Sequence, residues 1–416
     1  MNIDGIKKVC VAGWGKSGIA LCNVLLELAK EPRVTECRAR NFFHTSLIDN
    51  FRRKGVDFEF GGHSESFIKE ADLVVLSPGV DPHASNVVEI ARGFHIPVVG
   101  EVEFASWLTQ AKFVAITGTN GKTTTTFLTY RALKEKRKRV FLGGNIGIPV
   151  SSFILHTRKT DVIVLEISSF QLETILEFRP FVAALLNIEP NHLDRHASFK
   201  EYFDAKMNIF RNQKKEDYAV INKHIRLYGD IEKKIPSQIL HFSDEFSNSN
   251  FSCVYKIGSI FGVDKTTCAG VFSRFKGIPH RMQVIRQVRG VTFINDSKST
   301  NPSSTIWAFQ NIKGPIILIA GGRDKGVDYG AITPYLRNVK KVNLFGEAAH
   351  KIRAALATCV SVESFSSLGD AVDTSFAQAV KGDTVLLSPM CSSFDMFSNY
   401  MERGRKFIET VNSLWA

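Results

Sequence analysis

The sequence lacks paired cysteines. It has seven, an odd number, and none forms a Cys-x-x-Cys pair. That argues against a disulfide framework and points to reduced thiols in a cytoplasmic setting. It also lacks any uninterrupted apolar run long enough to span a bilayer, so no membrane span is expected. Internal repeats and low-complexity tracts are absent. A signal peptide is not expected either. Lys7-Lys8 precede an apolar run at 9–12, but Gly13, Gly15, Lys16 and Gly18 break it at once, and the pattern reads as strand, turn, helix. What the chain has in excess is positive charge, net +12, yet only residues 134–139 are dense in it. A dispersed basic surface suits anionic ligands such as nucleotides better than it suits a nucleic-acid groove. With 44% hydrophobic and 23% charged residues, the composition is that of an ordinary globular protein.

The stretch that organises the rest is Phe113-Val-Ala-Ile-Thr-Gly-Thr-Asn-Gly-Lys-Thr-Thr124. A β-branched apolar run (113–116) stops at a glycine turn, and a helix-compatible segment (124–136) follows. Strand, glycine loop, Gly-Lys-Thr and helix is how a chain cradles nucleotide phosphates. Backbone N–H groups converge on the anion, Lys122 reaches the β/γ-phosphates, and the Thr123 hydroxyl can ligate Mg²⁺. The Walker pattern would place glycine five positions before Gly121, where Ile116 stands. The loop therefore belongs outside the commonest phosphate-loop class.

Before it, a strand at 9–12 runs into Gly13-Trp-Gly-Lys-Ser-Gly18 and a helix at 19–28, a G-x-G-x-x-G in a position to bind an anion. Glu36 falls where a ribose-binding acid would, after a poorly defined strand. A strand at 72–76 ends in Ser77-Pro-Gly-Val80, at the sheet edge where open α/β sheets bind ligands. After the phosphate loop, Asp161-Val-Ile-Val-Leu-Glu-Ile-Ser-Ser169 reads as a buried parallel strand with Glu166 at its carboxyl end, a place for a Mg²⁺ ligand. Another buried strand, 181–187, feeds Ile188-Glu-Pro-Asn-His-Leu-Asp-Arg-His196, in which His192 reads as a site residue at the same edge.

The predicted helix 198–210 carries an anomaly. Its apolar stripe is Phe199, Tyr202, Phe203 and Phe210, and Lys206 occupies the i+7 place. Such a lysine must snorkel, pair with an acid or be chemically altered, and helix geometry alone favours snorkelling. Residues 223–267 show no motif, and 243–252 reads as a polar loop. The third region begins near Phe275-Lys-Gly-Ile-Pro-His-Arg281, read as an interdomain link. Four buried strands (291–295, 316–320, 342–345 and 384–387) follow, ending in polar, glycine- or serine-rich loops. These loops carry Lys298, Lys325 and small hydroxyls suited to a carboxylate-bearing ligand.

Taken together the motifs resemble the Mur ligases, the ATP-dependent amino-acid ligases of peptidoglycan synthesis. The matching pieces are Thr117-Gly-Thr-Asn-Gly-Lys-Thr-Thr124, Gly143-Gly-Asn-Ile-Gly147, Leu165-Glu-Ile-Ser-Ser-Phe-Gln-Leu172, Asn187-Ile-Glu-Pro-Asn-His-Leu-Asp194, Pro279-His-Arg281 and Asn295-Asp-Ser-Lys-Ser-Thr-Asn301, in family order along most of the chain. The Gly13–Gly18 turn, Ser77-Pro-Gly79 and the tail from Leu386 to Gly404 are most similar to the branch that adds D-glutamate to UDP-N-acetylmuramoyl-L-alanine.

The resemblance implies an α/β chain of three domains: a Rossmann-like UDP-substrate domain (1–108), a central P-loop ATPase-like domain with a mostly parallel sheet (109–278), and a C-terminal dinucleotide-fold-like amino-acid domain (279–416). It implies that Gly118, Thr119, Asn120, Gly121, Lys122, Thr123 and Thr124 hold the ATP phosphates. Thr123, Glu166 and His192 would serve two Mg²⁺ sites. Lys206 would be a carbamylated lysine, a cation turned into a carboxylate. Lys122, Lys206 and His192 would be the catalytic set. Asn145 would touch both the muramoyl substrate and ATP, and Ser168 the substrate. His280, Arg281 and Asp296 would reach ATP from the third domain. Lys298, Thr300, Lys325, Ser393, Phe394 and Tyr400 would surround D-glutamate, and Ser17, Ser77 and Gly79 the uridine diphosphate. The substrate carboxylate would attack the γ-phosphate, the acyl phosphate would meet the amine, and the third domain would close on the central one. The expected protein is a cytoplasmic monomer without nucleic-acid partners.

Three departures stand out. A His-Asn-x-x-Asn segment that usually contacts the nucleoside of ATP is not legible between Asn222 and Phe275. Asn191 stands where an aspartate is common, and Glu36-Cys-Arg38 matches the family's uracil contact only loosely. Competing readings are a sister Mur ligase, a folylpolyglutamate synthase and a basic P-loop nucleic-acid ATPase. Residues 1–108 argue against the synthase. The absence of an Asp-Asn-Pro-Arg loop argues against the diaminopimelate-adding ligase. DNA-stimulated hydrolysis would mark the ATPase.

Overall fold

The structure, a computed structural model, describes residues 3–145, 148–189, 196, 198–225, 231–243, 245–275, 277–324 and 326–415. His192 and Lys325 lie outside the described residues. The chain packs as two compact units, Met1–Phe275 and Lys276–Ala416.

The first unit holds two parallel sheets. The strands of the first are β1 (Lys8–Ala12), β2 (Glu31–Glu36), β3 (Asp57–Phe60), β4 (Leu73–Leu76) and β5 (Val98–Gly100), in the order β3-β2-β1-β4-β5. β2 is well formed, with residues 31–35 paired to β1 and 33–36 to β3, so Glu36 ends a real strand. The order reverses at β1, with β2 on one side and β4 on the other. Such a switch point opens a crevice at the carboxyl ends of the strands.

The second sheet contains β6 (Lys112–Thr117), β7 (Val140–Gly144), β8 (Val162–Glu166), β9 (Val182–Leu185), β10 (Tyr218–Asn222) and β11 (Gln238–Phe242), ordered β11-β10-β9-β6-β8-β7. All of its pairings are parallel. Helices cover both faces, so the central strands read as continuous apolar runs rather than alternating ones. β6 lies between β8 and β9, which brings three strand ends together.

One hydrophobic core joins the two sheets, with Val9, Val34 and Val75 from the first and Phe113, Leu165 and Leu185 from the second. A buried carboxylate adds to the joint. Glu103 accepts backbone N–H groups from Leu176, Glu177 and Phe178 at 2.9, 2.8 and 2.9 Å. The Trp107 indole N–H donates to it as well, at 2.8 Å, and four donors to one charge offset the cost of burying it.

Two readings need correction. The stretch 243–252 is not all loop, because a helix, Ser249–Ile260, begins inside it. Asn248 caps that helix and its first turn is polar apart from Phe251, so the buried apolar face shows mainly at Cys253, Val254 and Ile257. Lys206, in the helix Phe199–Met207, does not snorkel, since it is 1% exposed.

The second unit has one six-stranded sheet, with β12 (Gln283–Val288), β13 (Val291–Asn295), β14 (Ile316–Gly321), β15 (Val339–Phe345), β16 (Ser361–Ser364) and β17 (Thr384–Leu387) in the order β12-β13-β17-β14-β15-β16. β12 pairs antiparallel to β13 and the other pairings are parallel. β17, buried throughout, lies between β13 and β14, so the loops after all three share an edge. Among the described residues no helix is long and apolar enough to cross a membrane.

Candidate active site

The phosphate loop leaves β6 at Thr117, and the helix Lys122–Lys136 starts directly at Lys122, two residues earlier than the sequence pattern marks. Gly121 has φ 81°, a conformation L side chains rarely adopt, and its missing Cβ makes room for Asn250, whose Oδ1 would lie 2.4 Å from a methyl group there. Lys122 curls back, its Nζ donating to the carbonyls of Gly118 and Thr119 at 2.8 Å each. Thr123 is buried in the first turn.

The loop is clamped from the end of β9. Asn120 N–H donates to Asn187 Oδ1 at 2.8 Å, and Asn187 Nδ2 donates back to the Asn120 carbonyl at 3.0 Å. The Thr119 hydroxyl meets the Glu189 carbonyl at 3.2 Å and the Tyr202 hydroxyl at 3.1 Å.

Glu166 ends β8 and is 2% exposed. Its Oε1 accepts Asn145 Nδ2 at 2.7 Å. Its Oε2 is buried and accepts no hydrogen bond among the described residues. A buried carboxylate oxygen with no donor suits a hard divalent cation. Next to it, Lys206 Nζ donates to the Gly118 carbonyl at 3.0 Å and Thr117 Oγ1 at 3.3 Å, and lies 4.7 Å over the Tyr202 ring. Burial holds the amine well below the usual lysine range, the Lys122 charge lowers it further, and the Glu166 carboxylate opposes both. Ser168 caps the short helix Ser169–Glu173 in a reciprocal arrangement with Gln171.

At the first sheet's switch point, the helix Lys16–Glu27 begins with Ser17 in its first turn. Ser77 Oγ donates to the Gly13 carbonyl at 3.2 Å, and Gly79 follows in the same loop. Gly18 must be glycine, because a Cβ would sit 2.1 Å from the Gly13 carbonyl oxygen. At the end of β2, Glu36 accepts Trp14 N–H at 2.9 Å and Arg38 Nε and Nη2 at 2.9 Å each. Burial works against its charge, yet the Arg38 and Trp14 hydrogen bonds hold its carboxyl down at about 2.

In the second unit, His280 has φ 62° and its Nδ1 lies 3.0 Å from Asn295 Nδ2. Asn295 Nδ2 also donates to the Gly404 carbonyl at 2.9 Å. Asp296 accepts Met282 N–H at 3.1 Å and the Ser299 and Ser388 hydroxyls, and burial pushes its carboxyl up to about 6 against those hydrogen bonds. His280, Met282 and Met390 all have positive φ, a concentration of backbone strain around Arg281 and Asp296. Lys298 Nζ lies 5.8 Å over the Tyr400 ring. Thr300 stands in the same loop, two residues past Lys298. Ser393 is buried, while Phe394 is 63% exposed and packs little at this edge.

Arg403 ties these loops together. It is fully buried, donating Nε to Ser297 Oγ, Nη1 to the Gly321 and Ser392 carbonyls, and Nη2 to the Ser297 and Cys391 carbonyls. Burial pulls the guanidinium down to about 10.

Asn187, Glu189, Tyr202 and Asn250 contact the phosphate loop and Arg403 the loops of the second unit, and sequence reasoning gave none of them a role. For Asn187 a signal existed, a polar residue at the end of an apolar strand. Asn250 lies between Asn222 and Phe275, where Phe246 and Ser247 precede it in place of a His-Asn pair.

The fold and the strand-edge site define a three-sheet α/β enzyme of the nucleotide-dependent ligase class. The chain belongs to the Mur ligase family. The models of the MurD-like N-terminal domain, the Mur ligase middle domain and the Mur ligase glutamate ligase domain match residues 7–100, 116–267 and 280–391. A UDP-N-acetylmuramoylalanine--D-glutamate ligase of Thermoanaerobacter pseudethanolicus is 38% identical over 455 aligned positions that cover all of both chains. One from Caldanaerobacter subterraneus is 37% identical over 98% of each chain. Among solved structures, a UDP-N-acetylmuramate-alanine ligase of Thermotoga maritima superposes with a TM-score of 0.58 over 98% of this chain and 99% of that one. At 17% identity the likeness speaks for the fold.

Proposed function

We propose that the chain joins D-glutamate to UDP-N-acetylmuramoyl-L-alanine, using ATP, in peptidoglycan precursor synthesis. The observation that carries this reading is the match, along the whole of both chains, to ligases named for that reaction.

In this reading residues 1–108 bind the nucleotide-sugar, 109–278 bind ATP and 279–416 bind the amino acid. Ser17, Ser77 and Gly79 receive the uridine diphosphate at the switch point, and Asn145 and Ser168 the muramoyl end. The amides of the 118–123 loop hold the ATP phosphates. Lys122, now on the loop's own carbonyls, turns onto the β/γ-phosphates. Asn250, against Gly121 of the loop, would face the nucleoside. His280, Arg281 and Asp296 reach ATP, and Lys298, Thr300, Lys325, Ser393, Phe394 and Tyr400 serve the amino acid.

Two Mg²⁺ ions would be held by Thr123, Glu166 and His192, with the orphaned Glu166 Oε2 as the donor whose surroundings fit. When bound, they would offset the repulsion between the substrate carboxylate and the γ-phosphate. Lys206 would carry a carbamate: the neutral amine attacks carbon dioxide, a C–N bond forms, and one N–H proton leaves to solvent. The depressed Lys206 amine favours the reactive neutral form.

The alanyl carboxylate oxygen attacks the γ-phosphorus, the bond to the β-phosphate oxygen breaks and ADP departs. The amine of D-glutamate then adds to the acyl carbon, loses a proton, and phosphate leaves with the C–O bonding pair. Exclusion of water by the strand-edge loops would protect the acyl phosphate from hydrolysis. The same reading places the enzyme in the cytoplasm as a monomer with small-molecule substrates.

The test is phosphate release with the nucleotide-sugar, ATP and Mg²⁺, each candidate amino acid supplied in turn. D-Glutamate should be the substrate that supports turnover. ATP consumption with another amino acid, or with none, would overturn the assignment.

A further inference from the structure

His196 is 1% exposed, and both of its ring nitrogens face one five-residue helix. Nε2 lies 3.1 Å from Ser169 Oγ, and Nδ1 lies 3.2 Å from Glu173 Oε1. The ring stacks on Phe170 at 5.5 Å and meets Tyr202 edge-on at 5.3 Å. The second oxygen of Glu173 lies 3.8 Å from His83 Nε2, on the loop that follows Ser77 and Gly79. Tyr202 in turn bonds to Thr119 of the phosphate loop.

A serine, a histidine and a carboxylate in this order form the relay of a hydrolase. Ser169 is 2% exposed, so no substrate can reach its hydroxyl. The arrangement therefore serves position. The Glu173 carboxylate favours a proton on Nδ1, which leaves Nε2 to accept from Ser169. Two polar contacts and two aromatic rings then fix the turn that carries Ser168, two residues past Glu166.

We infer that His196 is a positioning residue that sets the affinity for the nucleotide-sugar, by holding the Ser168–Ser169 turn and, through Glu173 and His83, the loop of Ser77 and Gly79. This rests on the proposed function. His196 meets the nucleotide-sugar side through Ser169 and Glu173 and the ATP side through the Tyr202 ring, so the effect falls chiefly on one substrate.

The experiment is steady-state kinetics on the full chain with His196→Phe, which keeps the stacked ring and removes both nitrogens, and with Glu173→Gln. Each should raise KM for UDP-N-acetylmuramoyl-L-alanine about tenfold, with kcat within about threefold and KM for ATP within about twofold. Because both act on one contact, the double variant should be little worse than either single one. His196→Gln, which retains a donor and an acceptor, should recover most of the loss. Equal decline for all substrates, or strictly additive effects, would reduce His196 to a packing residue and overturn the inference. Unchanged KM values would do the same. If His196→Phe fails to fold, Glu173→Gln and Ser169→Ala carry the same test. A wild-type chain that turns over no nucleotide-sugar with D-glutamate refutes the proposed function instead.

Discussion

Asn145 and Glu166 grip each other twice. The Asn145 side-chain amide donates to Glu166 Oε1 at 2.7 Å, and its backbone N–H donates to the Glu166 carbonyl at 2.8 Å. The exposed asparagine thus orients the buried acid and leaves Oε2 free for other chemistry. Asn145→Ala removes one charge-assisted hydrogen bond, worth roughly 1.5–3 kcal/mol, so kcat/KM should fall by about tenfold to hundredfold. Steady-state rates at several Mg²⁺ concentrations check this. A variant within twofold of wild type would show that the grip does not matter to turnover.

Lys206 should be indispensable. Lys206→Ala is expected to abolish turnover while the fold survives with a lowered melting temperature, since the amine's two hydrogen bonds among the described residues and its place over the Tyr202 ring are lost and a cavity is left. Wild-type enzyme depleted of carbon dioxide should regain activity on adding bicarbonate. A carbamate carbon signal should appear with ¹³C-labelled bicarbonate and be missing from the variant. Full activity without carbon dioxide would remove the carbamate from the proposal.

Asp296 makes the second unit's stability depend on pH. Its folded pKa, about 6, lies above the unfolded value of about 3.9. The stability this difference contributes is therefore complete below about pH 4 and is lost as pH rises through about 6. Between pH 4.5 and 7 the second unit should lose on the order of 2 kcal/mol relative to Asp296→Asn. Amide hydrogen exchange in β13 and β17 across that range measures it. Parallel pH dependences in the two proteins would contradict the assignment.

Gly404 leaves room for the His280 ring. A methyl group at 404 would lie 2.2 Å from His280 Nδ1. Gly404→Ala must push the ring aside and disturb its contact with Asn295, at a cost of about 1–3 kcal/mol for an overpacked site. The melting temperature should drop and KM for ATP should rise severalfold. If neither moves, His280 has freedom that its surroundings do not suggest.

Much of the fold is legible in the apolar runs. β1, β4, β6, β8, β9, β14 and β17 are largely buried and show as hydrophobic stretches, and β13 does so apart from the half-buried Thr292. Edge and flanking strands are harder to see, because β3 (Asp57–Phe60) and β16 (Ser361–Ser364) are short and half-exposed. Of the site, the glycine loop and Glu166 are readable because their chemistry is local. The partnerships of Asn250 with Gly121 and of His196 with Ser169 and Glu173 form only when segments distant in sequence meet. The burial of Lys206 was open for a related reason. A helix pattern shows which face a lysine occupies, but not how deep the neighbouring loops bury it.

The guanidinium of Arg403 has a mechanical consequence. With its five donations spread over the rims that follow β13, β14 and β17, no rim can swing outward alone. A guest that is too bulky for one must prise all three, against a buried cation that has nowhere else to put its protons. Such a cradle discriminates by stiffness, and a lysine in that place, with a single point of attachment, would let the jaws part.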